Sequence, residues 1–239
     1  MRMSLGLTKY GRREWLLCSL VIAAYIPAAI WVWLPRWWWS LVTIVPLCAL
    51  WVWVVWFFRD PERPFAGGSE LLVSPADGRV TDITPIGPDS ALGCEGIKVG
   101  IFMSIFDVHV NRSPADAVVE QVRHVAGVFL DARNPLSAER NESATIHLRL
   151  RVDGRDYPLV IRQVAGLIAR RIVTDLAAGQ QVARGQRIGM IKFGSRMEVL
   201  APRELSPRVL VGIGQHVSAG QTALIALNSP ETSGSRSIK

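Results

Sequence analysis

Residues 179–191 read GQQVARGQRIGMI and residues 214–226 read GQHVSAGQTALIA, and these two stretches decide the fold. Both follow the pattern G-Q-x-V-x-x-G-Q and end in apolar residues. Glycine is favoured at turn positions, and alternating apolar residues are typical of strands. Each stretch therefore predicts a tight β-hairpin, and the pair predicts a domain with internal repetition.

The sequence around these repeats predicts further strands. Short runs rich in β-branched residues alternate with Gly, Pro and Asp turns. The predicted strands are Leu71–Ser74, Arg79–Ile83, Ile97–Met103, Ala117–His124, Thr145–Val152 and Tyr157–Ile161. Residues 165–174 (AGLIARRIVT) are expected to form a short helix. Paired turns of this kind recur in barrel-sandwich folds. Residues 59–239 are therefore predicted to form a mostly β, barrel-sandwich-like domain with a minor helix. The repeat pattern alone does not indicate catalysis.

Two uncharged, apolar stretches precede this domain, at residues 15–34 and 37–58. Each has about the length that a helix needs to cross roughly 30 Å of hydrocarbon. Pro35 and Arg36 lie between them and predict a tight turn. Residues 1–58 are therefore predicted to form a two-helix transmembrane hairpin. A cleaved signal peptide is excluded because the apolar stretch is too long and occurs twice.

The residues that flank and line this hairpin predict its orientation. All nine Trp residues lie between Trp15 and Trp56, as in the aromatic belts of membrane-spanning helices. A buried soluble hairpin would need a large soluble shell around them. Basic residues flank both ends of the hairpin, namely Lys9, Arg12, Arg13, Arg59 and Arg63. Because basic flanks favour the cytoplasm, we expect the β domain on the cytoplasmic side of the cell (inner) membrane.

Charge and cysteine content exclude two classes of protein. The net charge is +7, but the chain has no basic run, so nucleic-acid binding is not indicated. A weak attraction to anionic lipid headgroups is expected instead. Cys18 and Cys48 lie in the apolar region, which leaves only Cys94 in the polar domain. The domain therefore has no disulfide framework, which fits a reducing compartment.

Three segments of the polar domain carry residues that suit catalysis. They are VSPADGRV at Val73–Val80, FMSIFDVHVNRSP at Phe102–Pro114, and IKFGSRMEV at Ile191–Val199. In the second segment, alternation places Asp107 and His109 on one face of an extended chain. Each segment alone is ordinary: an Asp-Gly turn, a histidine at a strand end, and a Gly-Ser turn or bulge.

Together, in this order and at these separations, the segments resemble the phosphatidylserine decarboxylase family in its short form with an N-terminal membrane hairpin. The resemblance runs from about Phe58 to Ala226 and includes the stretches RNESATIHL and QVAGLIARRI. It implies a lyase of phospholipid biosynthesis, made as a zymogen, that converts phosphatidylserine in the membrane to phosphatidylethanolamine.

The resemblance also implies self-cleavage between Gly194 and Ser195. The products are a β chain of residues 1–194 and an α chain of residues 195–239, which form a heterodimer whose further oligomerisation the sequence leaves open. Ser195 becomes a covalent pyruvoyl cofactor, whose carbonyl forms a Schiff base with the substrate amine. Such a group provides the electron sink that protein side chains lack.

The family pattern assigns roles to individual residues of this chain. Ser195 is the nucleophile, His109 takes its proton, and Asp77 orients His109, as in triads that are recognised by role. His109 is also the expected acid that reprotonates the substrate carbon. Arg112 or Arg196 is expected to bind the lipid phosphate.

Alternative functions remain open at this point. A decarboxylase acting on an ether lipid with a serine headgroup would meet the same reacting atoms. A non-catalytic, membrane-tethered barrel-sandwich module is the alternative from another class, although Lys192 lacks the flanking Met residues of a carrier lysine. No metal is expected, because His109, His124 and His147 do not have the spacing of metal ligands.

Overall fold

The computed structural model describes residues 6–33, 37–131, 136–167, 171–192 and 194–228. The chain divides into two compact units, Met1–Glu62 and Arg63–Lys239. The turn predicted at Pro35 and Arg36 lies outside the described residues.

The first unit contains two long apolar helices, α1 (Arg12–Trp33) and α2 (Trp37–Phe57). Trp51 Nε1 donates to Ser19 Oγ at 2.9 Å, and Ser40 Oγ donates to the Ala29 carbonyl at 3.3 Å. The start of each helix therefore contacts the end of the other, which makes the pair antiparallel. Residues 9–32 and 38–57 are long and apolar enough to cross a membrane. The two predicted apolar helices are thus confirmed.

The second unit is mostly β, as predicted, and its strands follow one another in short segments. They are β1 (Leu71–Val73), β2 (Gly78–Ile86), β3 (Gly96–Met103), β4 (Val110–Arg112), β5 (Ala117–Val125), β6 (Ser143–Val152), β7 (Arg155–Val164), β8 (Ile172–Thr174), β9 (Gln181–Val182), β10 (Arg187–Ile191), β11 (Ser195–Pro202), β12 (Arg208–Val209), β13 (His216–Val217) and β14 (Ala223–Ala226). Each of the strands predicted from the sequence overlaps one of them.

These strands form one large curled sheet and two small sheets, with antiparallel pairing throughout. The large sheet has the order β13-β2-β3-β11-β7-β6-β5-β9, and the small sheets have the orders β1-β14-β12 and β4-β10-β8. One aliphatic core, which includes Leu72, Ile101, Ile146 and Ile225, packs between them. β11 lies in the middle of the large sheet; its first residue, Ser195, pairs with Met103 of β3, and its pairing with β7 begins at Arg196.

The helix predicted over residues 165–174 is wrong at its C-terminal end, where Ile172–Thr174 form strand β8. This run is β-branched at every position, and such side chains pack well on a pleated surface. Residues 168–170 of the predicted helix lie outside the described residues. The minor helix of the domain is instead the single turn α3 (Ser137–Arg140).

The two G-Q repeats are not hairpins, and this prediction is also wrong. In residues 179–191, β9 pairs with β5 whereas β10 pairs with β4 and β8. In residues 214–226, β13 pairs with β2 whereas β14 pairs with β1 and β12. Each repeat therefore turns from the large sheet into a small one. The repeated glycines stand at positive φ, with Gly185 at 76° and Gly220 at 71°, which lets the chain make this turn.

A second internal repeat accompanies the first. The sequence SPAD occurs at Ser74–Asp77, the first SPAD turn, and at Ser113–Asp116, the second SPAD turn. Gly220 N donates to the Ser74 carbonyl at 2.7 Å, and Gly185 N donates to the Ser113 carbonyl at 2.8 Å. Each SPAD turn thus binds one G-Q repeat, and the domain is built from two similar halves.

Candidate active site

Ser195 is the first residue of β11 and is fully buried. It lies opposite Met103 at the end of β3, and its Oγ is 3.3 Å from Met103 Sδ. Gly194 precedes it with φ at 43°, in the left-handed region that glycine adopts without strain. A Cβ added to Gly194 would meet no atom within 4 Å. The Gly194–Ser195 peptide therefore joins a buried hydroxyl to a more open backbone.

His109 is fully buried directly before β4. Its Nδ1 lies 2.9 Å from the Asp107 carbonyl oxygen. The Asp107 carboxylate accepts a hydrogen bond from Ser104 N at 2.8 Å and lies 3.1 Å from His216 Nε2. The loop that leads from β3 into β4 thus sets the orientation of the His109 ring.

Asp77 lies between β1 and β2, and its carboxylate is clamped by Arg63. Arg63 Nη2 donates to Asp77 Oδ2 at 2.7 Å, and Arg63 Nη1 donates to Oδ1. Ala219 N also donates to Oδ1, at 2.8 Å. The side chain is only 8% exposed. The hydrogen bonds described for this carboxylate go to Arg63 and Ala219, and its orientation of His109 stays a prediction.

The sheet register brings the three sequence segments to one edge. Arg79 pairs with Phe102, and Phe102 pairs with Arg196, so β2, β3 and β11 share one rung. One residue further along each strand lie Gly78, Met103 and Ser195. The Asp-Gly turn, the loop to His109 and the Gly-Ser bond therefore meet at the same end of these strands. The fold thereby brings the SPADG, FDVHVNRSP and FGSRMEV segments to the end of the sheet at which the buried Ser195 lies.

Comparison with known proteins shows to which family the chain belongs. A sequence profile described as phosphatidylserine decarboxylase matches residues 50–225. The chain belongs to the phosphatidylserine decarboxylase family. The curated members of the family that it resembles are named as decarboxylase proenzymes, which are carboxy-lyases made as precursors.

Individual relatives cover most of the chain. The phosphatidylserine decarboxylase proenzyme of Aromatoleum aromaticum is 45% identical over 183 residues, which is 77% of this chain and 82% of the relative. The proenzyme of Paramagnetospirillum magneticum is 42% identical over 75% of this chain and 74% of its own length. That of Cupriavidus metallidurans is 38% identical over 87% of this chain and 88% of its own length.

Arg112 and Arg196 are predicted to bind the substrate phosphate. Both form hydrogen bonds with other groups of this chain. Arg112 is buried, and its Nη1 donates to the Gly185 carbonyl at 2.9 Å. Arg196 is also buried; its Nε donates to Glu198 Oε1 at 3.0 Å and its Nη1 to Thr81 Oγ1 at 2.9 Å, and its Nη2 contacts Asp82. A role in phosphate binding stays a prediction for both.

The charges around Arg196 shift one another's protonation. Burial alone would raise the pKa of Asp82, but the hydrogen bond and the positive charge of Arg196 outweigh it and hold this pKa below its usual value. Burial would lower the pKa of Arg196, but the negative charges of Glu198 and Asp82 raise it. Asp82 and Arg196 are therefore both ionised at neutral pH, and their ion pair holds the side chain of the residue that follows Ser195.

Sequence reasoning missed two side chains that contact members of the predicted triad. Arg63, interpreted only as a basic flank of the hairpin, clamps Asp77, and Met103 contacts Ser195. The repeated SPAD sequence is visible without the structure. The clamp by Arg63, which only Asp77 of the two SPAD aspartates has, is seen in the structure. Among the described residues, no three His, Cys, Asp or Glu side chains lie close enough together to hold a metal ion.

Proposed function

We propose that this protein cleaves itself between Gly194 and Ser195, converts Ser195 into a pyruvoyl group, and then decarboxylates phosphatidylserine to phosphatidylethanolamine. The observation that carries the proposal is the position of the Gly-Ser bond. Ser195 is fully buried at the start of a central strand, and Gly194 has a left-handed backbone beside it. The bond lies within the residues that match the decarboxylase family.

The proposed self-cleavage needs only groups of the chain and one water molecule. Ser195 Oγ attacks the carbonyl carbon of Gly194, the C–N bond breaks, and the hydroxyl proton moves to the released amine through a base. Removal of the Cα proton of residue 195 then breaks the Cβ–Oγ bond of the ester. The oxygen stays with Gly194 as its new carboxylate, and residue 195 becomes dehydroalanine. The dehydroalanine at residue 195 tautomerises to an imine, and water releases ammonia to leave the pyruvoyl carbonyl. His109 is the candidate base, with Asp77 to orient it.

The residues present fit this group. A pyruvoyl group has the same carbon skeleton as the serine from which it is made, so it would fit the space that Ser195 occupies beside Met103. It supplies an electron-accepting carbonyl for the substrate amine, which no unmodified side chain offers. The burial of Ser195 keeps bulk water from this position, and the open space beside Gly194 gives the headgroup room to approach after the chain is cut. His109 is the proposed acid that returns a proton to the substrate carbon.

The two product chains are expected to stay together as a heterodimer. Strand β11 belongs to the α chain, and it is hydrogen-bonded to β3 over eight residue pairs and to β7 over five. Both neighbours belong to the β chain. The cut and the loss of the Ser195 nitrogen affect only the first of these pairs, and the pairing from Arg196 onward is kept.

The lipid phosphate needs a cationic partner in the site. Arg112 and Arg196 are the candidates, and a guanidinium group binds phosphate oxygens in a bidentate manner. In the uncut chain, both guanidinium groups donate hydrogen bonds to oxygen atoms of the protein. Binding of the lipid phosphate by either arginine would therefore exchange protein acceptors for phosphate oxygens.

The apolar helices would hold the enzyme at the bilayer that contains its substrate. Large side chains on them face outward, with Leu20 65% and Trp31 81% exposed. Lipid is the surrounding in which such surfaces are stable. Basic residues at both ends favour the cytoplasmic side of the inner membrane for the β domain.

Intact mass and a denaturing gel test the proposal. The wild-type chain should separate into residues 1–194 and a small chain that begins at residue 195 and resists Edman degradation, because a pyruvoyl end has no free amine. Ser195→Ala should remain whole and inactive. Ser143→Ala, which removes another buried strand serine, should still be cut. A wild-type chain that stays intact and decarboxylates phosphatidylserine would refute the mechanism.

A further inference from the structure

A chain of buried polar side chains ends at the nucleophile. Thr174 Oγ1 donates to Gln163 Oε1 at 2.7 Å, and Gln163 Nε2 donates to Asn111 Oδ1 at 2.8 Å. Asn111 Nδ2 then lies 3.9 Å from Met103 Sδ, the sulfur atom that Ser195 Oγ contacts at 3.3 Å. All members except Thr174 are fully buried. We call these five side chains the amide chain.

The direction of hydrogen bonding along the amide chain follows from its sulfur end. A thioether sulfur only accepts hydrogen bonds. If both amides were rotated by half a turn, Asn111 Oδ1 would face Met103 Sδ and two acceptors would meet. The sulfur therefore keeps the Asn111 amino group toward itself, and this fixes the orientation of Gln163 and of the Thr174 hydroxyl in turn.

The amide chain also connects strands of different sheets. Asn111 is on β4 and Thr174 is on β8, both in a small sheet, whereas Gln163 is on β7 and Ser195 on β11 in the large sheet. Asn111 is two residues from His109, on the segment that carries the candidate base. The chain thus fixes the distance between the segment of the base and the strand of the nucleophile.

Apolar side chains of similar volume would fill this position at less desolvation cost, because buried amides contribute little net stability even when they are paired. Methionine is also flexible, with three rotatable bonds, and packing alone leaves its sulfur poorly fixed. We propose that Asn111 and Gln163 are positioning residues for self-cleavage, which hold the Met103 sulfur where it orients the Ser195 hydroxyl. This inference rests on the proposed function, since it concerns the same reaction.

The first test uses Thr174, the half-buried end of the amide chain, where substitution disturbs packing least. The full chain is made by cell-free translation into lipid nanodiscs, and its conversion into two chains is followed over time on a denaturing gel. Thr174→Val removes the donor without changing the shape, and cleavage should slow about tenfold. Thr174→Ser keeps the hydroxyl and should stay within about twofold of the wild type. Equal rates for the two variants would overturn the inference.

The second test is a double-mutant cycle on the same rate. Met103→Leu and Asn111→Leu should each slow cleavage about tenfold, and the double variant should be no slower than the slower single one, because both act through the same sulfur. Met197→Leu is the control, because Met197 is a fully buried methionine on β11, the strand of Ser195, and it should change the rate less than about twofold. Effects of Met103→Leu and Asn111→Leu that multiply would contradict the inference. A folded wild type that is never cut would refute the proposed function instead.

Discussion

The two SPAD turns share one local structure and differ in their surroundings. In the first, Ala219 N donates to Asp77 Oδ1 at 2.8 Å, and in the second, Arg184 N donates to Asp116 Oδ1 at 2.9 Å. Both turns thus use an aspartate to bind the backbone of a G-Q repeat. This part of the pattern is structural, because it occurs in both halves of the domain.

The difference lies in burial and charge. The Asp77 side chain is 8% exposed and forms two hydrogen bonds with Arg63, whereas Asp116 is 69% exposed and lies 3.9 Å from Arg184 Nη2. A backbone turn needs neither burial nor a guanidinium clamp, since the second copy forms without them. The burial and the Arg63 clamp are therefore features of the first copy, which lies at the same end of the sheet as Ser195. The comparison therefore separates the role that an aspartate has in each turn from the further role proposed for Asp77 in the candidate site.

The largest expected effect is on self-cleavage. Asp77→Asn keeps the oxygen that accepts from Ala219 N but removes the charge, and it should slow cleavage by on the order of 10²–10⁴-fold if Asp77 orients the base. Asp116→Asn makes the same change in the other half and should be cut at the wild-type rate. The measurement is the fraction of two-chain product over time on a denaturing gel. Equal slowing in both variants would mean that the aspartates act only through the turns.

The next effect is on stability and concerns the residue after each aspartate. Gly78 has φ at 148°, and a Cβ there would overlap the Phe102 carbonyl oxygen, whereas the equivalent residue in the second half is Ala117. Gly78→Ala should therefore lower the free energy of unfolding by roughly 3 kcal/mol, while Ala117→Gly should lower it by about 1 kcal/mol.

Both variants can be compared by thermal unfolding in detergent, in the Ser195→Ala background so that the chain stays whole. Circular dichroism in the β region is the suitable signal, because all nine Trp residues lie in residues 15–56 and their fluorescence reports the hairpin. A Gly78→Ala protein as stable as Ala117→Gly would show that the chain relaxes around the added methyl group.

The smallest effect should be the same in both halves. Ser74 Oγ donates to the Ala76 carbonyl at 2.6 Å, and Ser113 Oγ donates to the Ala115 carbonyl at 2.7 Å. Both serines are fully buried. Ser74→Ala and Ser113→Ala should each destabilise the domain by about 1 kcal/mol, because each removes one buried hydrogen bond. If the unfolding midpoints of the two variants differed clearly, the contribution of this hydrogen bond to stability would depend on the surroundings of each turn.

Local features of the sequence predicted local features of the structure. The apolar helices follow from the length of two uncharged stretches, and the strands follow from β-branched runs between turns. The helix expected at residues 165–174 failed because Ile172–Thr174 take their conformation from pairing with β10. The G-Q hairpins failed for the same reason, since a glycine turn does not specify which strands its two arms will pair with.

For the candidate site, the family resemblance named Ser195, His109 and Asp77, and their roles stay predictions. The register brings their segments to one edge of the sheet. Arg63 and the amide chain were missed because their partners lie far away in sequence, at separations of 14 residues for Asp77 and Arg63 and 52 for Asn111 and Gln163. The second SPAD copy is visible in the sequence, but the contacts that distinguish Asp77 from Asp116 are seen only in the structure.

The central position of β11 gives the proposed cut a consequence for folding. Before cleavage, β11 reaches its place between β3 and β7 as part of one chain, in a unimolecular reaction. After cleavage, the same strand could return to that place only by a bimolecular encounter, so recovery after unfolding would depend on protein concentration. Maturation would then act as a kinetic ratchet: the enzyme folds once as a precursor, and loss of the fold afterwards is in practice irreversible.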